Sequence, residues 1–190
     1  MVIRYVFRSA RLYYLAAGPD LAEPAAAFYR RNRAAFAPFD PVQPEEFFTA
    51  DGQKERLAWD VEQAENGRSF RFLLVQPRHP GKIVGLVGLN EIVRGAFQSC
   101  FLSYKIDHTL WSRGYGTEAI AAATGWGFRT LGLHRIEASI MPRNLASRRA
   151  AEKAGYAEEG LSRHYLKING RWEDHLHLVR LNEEDADGRA

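Results

Sequence analysis

Residues 70–107 leave no room for a helix. Three strand-like segments follow one another there: "FRFLLVQ" (70–76), "IVGLVGLNEIV" (83–93) and "AFQSCFLSYKID" (96–107). Only "PRHPGK" and the pair Arg94-Gly95 separate them. Connections this short join neighbouring antiparallel strands, whereas parallel strands need a crossover of a dozen or more residues. The spacing therefore predicts an antiparallel meander in the middle of the chain. A fold made only of alternating parallel strands and helices is excluded.

The flanks read differently. Leu21, Ala25, Phe28 and Tyr29 recur at helical spacing and predict a helix over 19–33, stopped by Pro38 and Pro41. Leu57, Val61 and Ala64 predict another over 53–65, ended by Asn66-Gly67. Before them, 2–7 and 11–15 are alternative places for a first strand, and the pattern does not choose between them. Beyond the meander, a helix over 114–131, a strand over 134–141 and a helix over 144–155 are each bounded by glycine or asparagine. Two final strands, 156–168 and 171–181, flank Asn169-Gly170, a strong hairpin signal. Trp59 and Trp126, at helical spacing with apolar neighbours, are expected in the core. The order predicts an α+β domain over 1–183, with a polar tail at 184–190.

With 190 residues the chain is long enough for one well-buried core. Its formal charge is +3, and its arginines are scattered with no Lys/Arg block, so no DNA partner is expected; phosphate-bearing ligands suit the charge. Cys100 is the only cysteine, which rules out an intramolecular disulfide and suits a cytoplasmic setting. Charges interrupt the first 18 residues, so no signal peptide is expected, and no apolar run is long enough to predict a membrane span.

The most informative motif is "HTLWSRGYGTEA" (108–119). Gly114-x-Gly116-x-x-Ala119, with Glu137 about 20 residues on, fits a dinucleotide-binding fingerprint. That reading needs a buried parallel strand ending just before Gly114, and here antiparallel hairpins and Trp111-Ser112-Arg113 precede it. Glu137 reads more simply as a solvent-facing strand residue, and no GxxxxGK[ST] stretch supports a P-loop. Two readings remain: a strand-to-helix turn, or a cradle in which backbone N–H groups and the helix dipole hold a pyrophosphate, with Arg113 as a mobile cation at the rim.

The stretches "VRGAFQSCFLSYKID", "LWSRGYGTEAI", "HRIEASIMPRNLASRRAAEKAGYAEEG" and "YLKINGRWEDH" resemble the GNAT superfamily of N-acetyltransferases. They are most similar to its RimJ/RimL branch, and there to the RimJ type that acetylates ribosomal-protein alanine. The resemblance covers nearly the whole chain and selects the cradle. It implies a mostly antiparallel sheet that splays, acetyl-CoA as cosubstrate, and Arg113, Gly114, Tyr115, Gly116 and Thr117 on its pyrophosphate. Trp111 stands where Gln or Arg opens the superfamily motif. The resemblance also implies that backbone groups of Leu102, Ser103 and Tyr104 face the thioester, and that Asn144 lies against the coenzyme. Ser147, where the branch carries a serine, would protonate the leaving thiolate. The tyrosine many members use seven residues after the asparagine is Ala151 here.

Each role has a plainer alternative. Asn144 and Ser147 suit helix capping, and Glu91, the best carboxylate for accepting the amine's proton through water, also reads as an exposed hairpin residue. Cys100, between apolar neighbours and without a His or Asp partner nearby, reads as a buried thiol and not a nucleophile. His175-x-His177 with Asp174 lacks further zinc ligands, so no metal is expected; with His164 and Tyr165 it reads as a hairpin face near a substrate groove. The implied acceptor is the α-amine of a protein N-terminus, including that of a ribosomal protein, attacked directly in a ternary complex. A small amine is the alternative acceptor. A ribosome-associated assembly factor that binds acetyl-CoA incidentally is the alternative outside enzymes.

Overall fold

A computed structural model describes residues 5–183. The elements run β1 (Tyr5–Arg8), β2 (Tyr13–Ala16), α1 (Ala22–Phe36), α2 (Ala50–Glu65), β3 (Phe70–Gln76), β4 (His79–Val93) and β5 (Ser99–Ile106). They continue with α3 (Tyr115–Leu131), β6 (Arg135–Ile140), α4 (Leu145–Lys153), β7 (Ala157–Ile168) and β8 (Arg171–Leu181). The strands form one sheet in the order β1-β2-β3-β4-β5-β6-β8-β7. Every pairing is antiparallel except β5 with β6, which α3 connects as a crossover. The architecture is the expected α+β, with the meander as β3-β4-β5.

Both candidates for the first strand are strands, hydrogen-bonded to one another; residues 2–4 of the first lie outside the described residues, as does the 184–190 tail. The β3–β4 turn is only Pro77-Arg78, so the strand resumes at His79 rather than 83. The β4–β5 connection is longer than Arg94-Gly95: five residues, 94–98, with Gly95 and Gln98 both at positive φ. Helix α2 begins three residues before Gln53, because Thr49 caps it by accepting from the Gly52 N–H at 3.1 Å. Asn169-Gly170 does make the final turn, with positive φ at both residues as a two-residue hairpin of this kind requires.

Alternation along the strands divides the core. On β3, Leu73 and Val75 pack with Phe28, Tyr29, Phe36 and Leu57 of α1 and α2. Phe72 and Leu74 point the other way, into a layer with Ile120 and Ala123 of α3 and Ala151 and Ala154 near α4. Each fully buried Leu or Phe contributes about 1.5–3 kcal/mol. Trp126 belongs to the second layer, against Phe7, Phe70 and Phe72. Trp59 is not in the core: α2 buries Gln53, Leu57 and Asp60, which turns Trp59 outward and leaves it 51% exposed. Among the described residues no helix is long and apolar enough to cross a membrane.

Candidate active site

The parallel ladder between β5 and β6 lasts three rungs, Ser99 with Arg135, Cys100 with Ile136 and Phe101 with Glu137. Beyond them each strand keeps only its outer neighbour: Leu102, Ser103 and Tyr104 stay on β4, and Ala138 and Ser139 on β8. The sheet thus splits into two arms, and the facing strand edges present backbone N–H and C=O groups that an extended ligand can pair with. The side chain of Leu102 is in the core, so only its backbone is available at this edge. Ser103 points to the α1/α2 side, where its hydroxyl accepts from Asn90 at 2.9 Å.

The glycine turn closes one end of the opening. Gly114 caps α3 with φ 79°, a left-handed conformation that costs other residues about 1–2 kcal/mol. Among the described residues no side chain caps this helix, so the first N–H groups, those of Tyr115, Gly116 and Thr117, point out of it unclaimed by them. Gly116 is different. Its φ is ordinary, and a Cβ there would sit at contact distance, 3.6 Å from Ala150 and 3.7 Å from Tyr104. Neither backbone nor packing demands glycine at 116.

Contacts distant in sequence hold the turn rigid. Arg11 pairs with Glu118 at 2.6 Å, donates to the Arg113 carbonyl at 2.9 Å and lies over the Tyr115 ring. The Tyr115 hydroxyl is fixed by Gln76 at 2.8 Å, so Tyr115 offers the opening its backbone and not its ring. Trp111 donates to the Ile106 carbonyl at 2.8 Å, anchoring the segment before the turn. Asp107 accepts from Arg31 at 2.6 Å and from the Thr109 N–H and hydroxyl. Burial alone would raise its carboxyl, but these hydrogen bonds outweigh it and pull the pKa down to about 2. The Arg113 guanidinium itself has no partner among the described residues.

Across the opening, Asn144 caps α4 by accepting from the Ser147 N–H at 3.2 Å. The Ser147 hydroxyl lies 2.6 Å from the Tyr104 hydroxyl, which also reaches the Ser147 carbonyl at 3.0 Å. Burial pushes Tyr104 up to about 12, so it keeps its proton at any working pH. Sequence reasoning placed Tyr104 and Ser147 separately; the pairing joins β5 of one arm to α4 of the other.

The acceptor side, facing α1 and α2, departs most from expectation. Glu91 sits exposed on a bulge of β4 with φ 53°. Glu137, read from sequence as solvent-facing, is only 13% exposed at its side chain. It pairs with Arg135 at 3.1 Å and with His177 Nδ1, while His177 Nε2 meets the Ser162 hydroxyl at 2.7 Å. The reason is the hairpin: β8 lays His177 opposite Ser139, one diagonal step from Glu137. Tyr165 packs on both His175 and His177. Burial lowers the His175 pKa, so His175 is neutral at neutral pH, and among the described residues no cluster of metal-ligand type forms. His164 is exposed at a bulge of β7, its N–H donating to Asp174 at 2.8 Å. Cys100 is buried and burial pushes its thiol up to about 12, as suits an inert core residue. Sequence reasoning missed the pairs Glu137–His177 and Arg11–Glu118, whose members lie 40 and 107 residues apart and share no local signal.

Comparison with known proteins follows the same lines. The acetyltransferase (GNAT) domain family matches residues 11–157. A Bacillus subtilis protein named "Probable N-acetyltransferase YjcK" is 39% identical over 154 residues, 81% of this chain and 84% of that protein. The [Ribosomal protein uS5]-alanine N-acetyltransferase of Escherichia coli is 34% identical over 160 residues, 84% of this chain and 81% of the enzyme. The crystal structure of the ribosomal-protein-S5-alanine acetyltransferase from Vibrio fischeri superposes with a TM-score of 0.88 at 31% identity, covering 94% of this chain and 97% of that one.

Proposed function

This chain belongs to the GNAT acetyltransferase family, and from that premise we propose that it acetylates the α-amine of a protein N-terminus, a ribosomal protein's among the candidates. Acetyl-CoA supplies the acetyl group as a thioester, as throughout the family. The observation that carries the donor half is Gly116, a glycine that neither conformation nor packing explains, on the first turn of an uncapped helix. The N–H groups of Tyr115, Gly116 and Thr117, with Gly114 turning the chain and Arg113 at the rim, hold the pyrophosphate. The free edge at Leu102, Ser103 and Tyr104 lines up the pantetheine arm and aims an N–H at the thioester oxygen.

Proton traffic is light. The leaving group is a thiolate, a much weaker base than an alkoxide or an amide ion, so it needs only modest help. The Ser147 hydroxyl, backed by the Tyr104 hydroxyl 2.6 Å away, donates that proton, and Asn144 fixes Ser147 by capping its N–H. On the acceptor side Glu91 is a carboxylate open to water, suited to removing a proton through solvent and poorly placed to force one from a strong base. That supports an α-amine: at pH 7 roughly a tenth of it is neutral, against less than about a thousandth of a lysine. The difference is worth about 3 kcal/mol of available nucleophile. Similarity to enzymes named for ribosomal-protein alanine supports the same acceptor.

Peptides with a free N-terminus and one internal lysine, beside Nα-blocked copies, test the reading. Mass spectrometry is expected to find N-terminal acetylation at least 100-fold faster. Equal rates on blocked peptides would overturn it.

A further inference from the structure

On the acceptor side a cavity of about 210 Å³ opens between α1, the segment 40–47, α2 and the sheet. Ser103, Tyr104 and Lys105, on the free edge of β5, form one wall of it. What enters this cavity therefore lies beside the strand edge to which the proposed function assigns the thioester, and the inference rests on that reading.

The lining mixes apolar residues, Tyr29, Phe47 and Leu86 among them, with uncharged polar ones and with the charged Asp40, Arg56, Arg71 and Lys105. Lys105 is paired with Asp40, and Arg71 with Asp60 at 3.0 Å. Arg56 is left over. Among the described residues it has no carboxylate in ion-pair reach, although its charge acts on the Asp60 carboxylate that Arg71 holds; its Nε is buried without a hydrogen-bond partner, and its guanidinium stands 5.7 Å from the centre of the Phe47 ring. The Tyr29 hydroxyl, on the same wall, makes no hydrogen bond to the described residues either. The three cations stand against two carboxylates, Asp40 and Asp60, a formal excess of one positive charge.

We propose that this cavity is an acceptor subsite in which Arg56 binds a carboxylate carried by the molecule being acetylated, an acidic side chain within the first three residues of an N-terminal peptide. A planar guanidinium can meet a carboxylate end-on through its two terminal Nη groups, two bonds at a time. A lysine or arginine in the same place meets an uncompensated cation, and a glutamine forfeits the charge. A free amino acid could present its α-carboxylate to the same group, so the experiment separates the two sources.

Binding is measured by calorimetry in the presence of CoA, which needs no turnover. The probes are N-acetylated, C-terminally amidated tetrapeptides of alanine with Glu or Gln at positions one, two and three, plus N-acetylalanine. At one position the Glu peptide is expected to bind at least tenfold more tightly than its Gln twin. The ratio should fall within twofold in Arg56→Gln and stay intermediate in Arg56→Lys, with undisturbed acetyl-CoA affinity reporting that each variant is folded. Equal affinity of the twins, including none, or a preference that survives Arg56→Gln, overturns the subsite. Arg56-dependent binding of N-acetylalanine without that of the Glu peptides moves the carboxylate to a small amino acid and also overturns the peptide form. N-terminal acetylation without an acidic preference removes the subsite and leaves the function. An Arg56-dependent acidic preference without N-terminal acetylation does the reverse.

Discussion

The two faces of the opening are built by different means. On the α3/α4 face the polar groups that border the opening are backbone N–H groups and caps, drawn from two short segments, 113–117 and 144–147. On the α1/α2 face they are charged side chains brought together from α2, β3, β5 and the 40–47 segment, or from β6, β7 and β8. In the proposed function the first face recognises a part common to every coenzyme A molecule, and fixed backbone dipoles suffice for that. The second must recognise an acceptor, and paired, exchangeable side chains are how a fold changes its preference while keeping its frame.

The largest effect belongs to the first face. Gly116→Val is expected to weaken acetyl-CoA about 1000-fold, as its side chain displaces a pyrophosphate from two charge-assisted hydrogen bonds worth about 1.5–3 kcal/mol each. Its Cβ meets only ordinary contacts, so the melting temperature should hold. Unchanged affinity by calorimetry would reduce the turn to a structural one. Gly114 gives a less clean test, because its φ of 79° makes any side chain costly to the fold itself.

Next is the junction where both arms meet. Ser147→Ala is expected to lower turnover by about 100-fold, the low end for general-acid help, because a thiolate leaves readily. Acetyl-CoA affinity should change less than threefold and stability by under about 1 kcal/mol, since Asn144 and not Ser147 provides the cap. Turnover within twofold of the parent would assign Ser147 to structure.

The smallest effect concerns the strut between the faces, Asp107, which ties the entrance of the glycine turn to Arg31 on α1. Its folded pKa of about 2 lies below the ordinary value near 3.9. A depressed carboxylate stabilises the fold above the unfolded value and loses that contribution as pH falls toward the folded one. The advantage of the parent over Asp107→Asn in urea unfolding should therefore shrink by about 2 kcal/mol between about pH 5.5 and pH 2. A constant difference would mean that the strut carries no charge-dependent stability.

Local pattern carried the elements well. Helical spacing found α1 and α2, Asn169-Gly170 found the last hairpin, and short connections found the meander, because each depends on residues within one or two turns of one another. Boundaries moved where a side chain decided them, as at Thr49. Trp59 went wrong because apolar spacing cannot tell which face of a helix is covered, and α2 buries Asp60 against Arg71 in preference to a tryptophan. Glu137 went wrong for the same reason on a strand: alternation put it opposite the core, and only β8 filled that side with His177.

The sequence by itself determined the α+β order, the glycine turn with its uncapped helix, and the asparagine cap that fixes Ser147, since backbone conformation and capping are settled by near neighbours. Tertiary structure alone decided that β5 and β6 part after three rungs, that Tyr104 reaches Ser147, and that among the described residues Arg56 makes no ion pair while Lys105 and Arg71 each hold a carboxylate. Those facts depend on distances between side chains tens of residues apart, and such distances exist only once the two layers of core have packed against the sheet and fixed them.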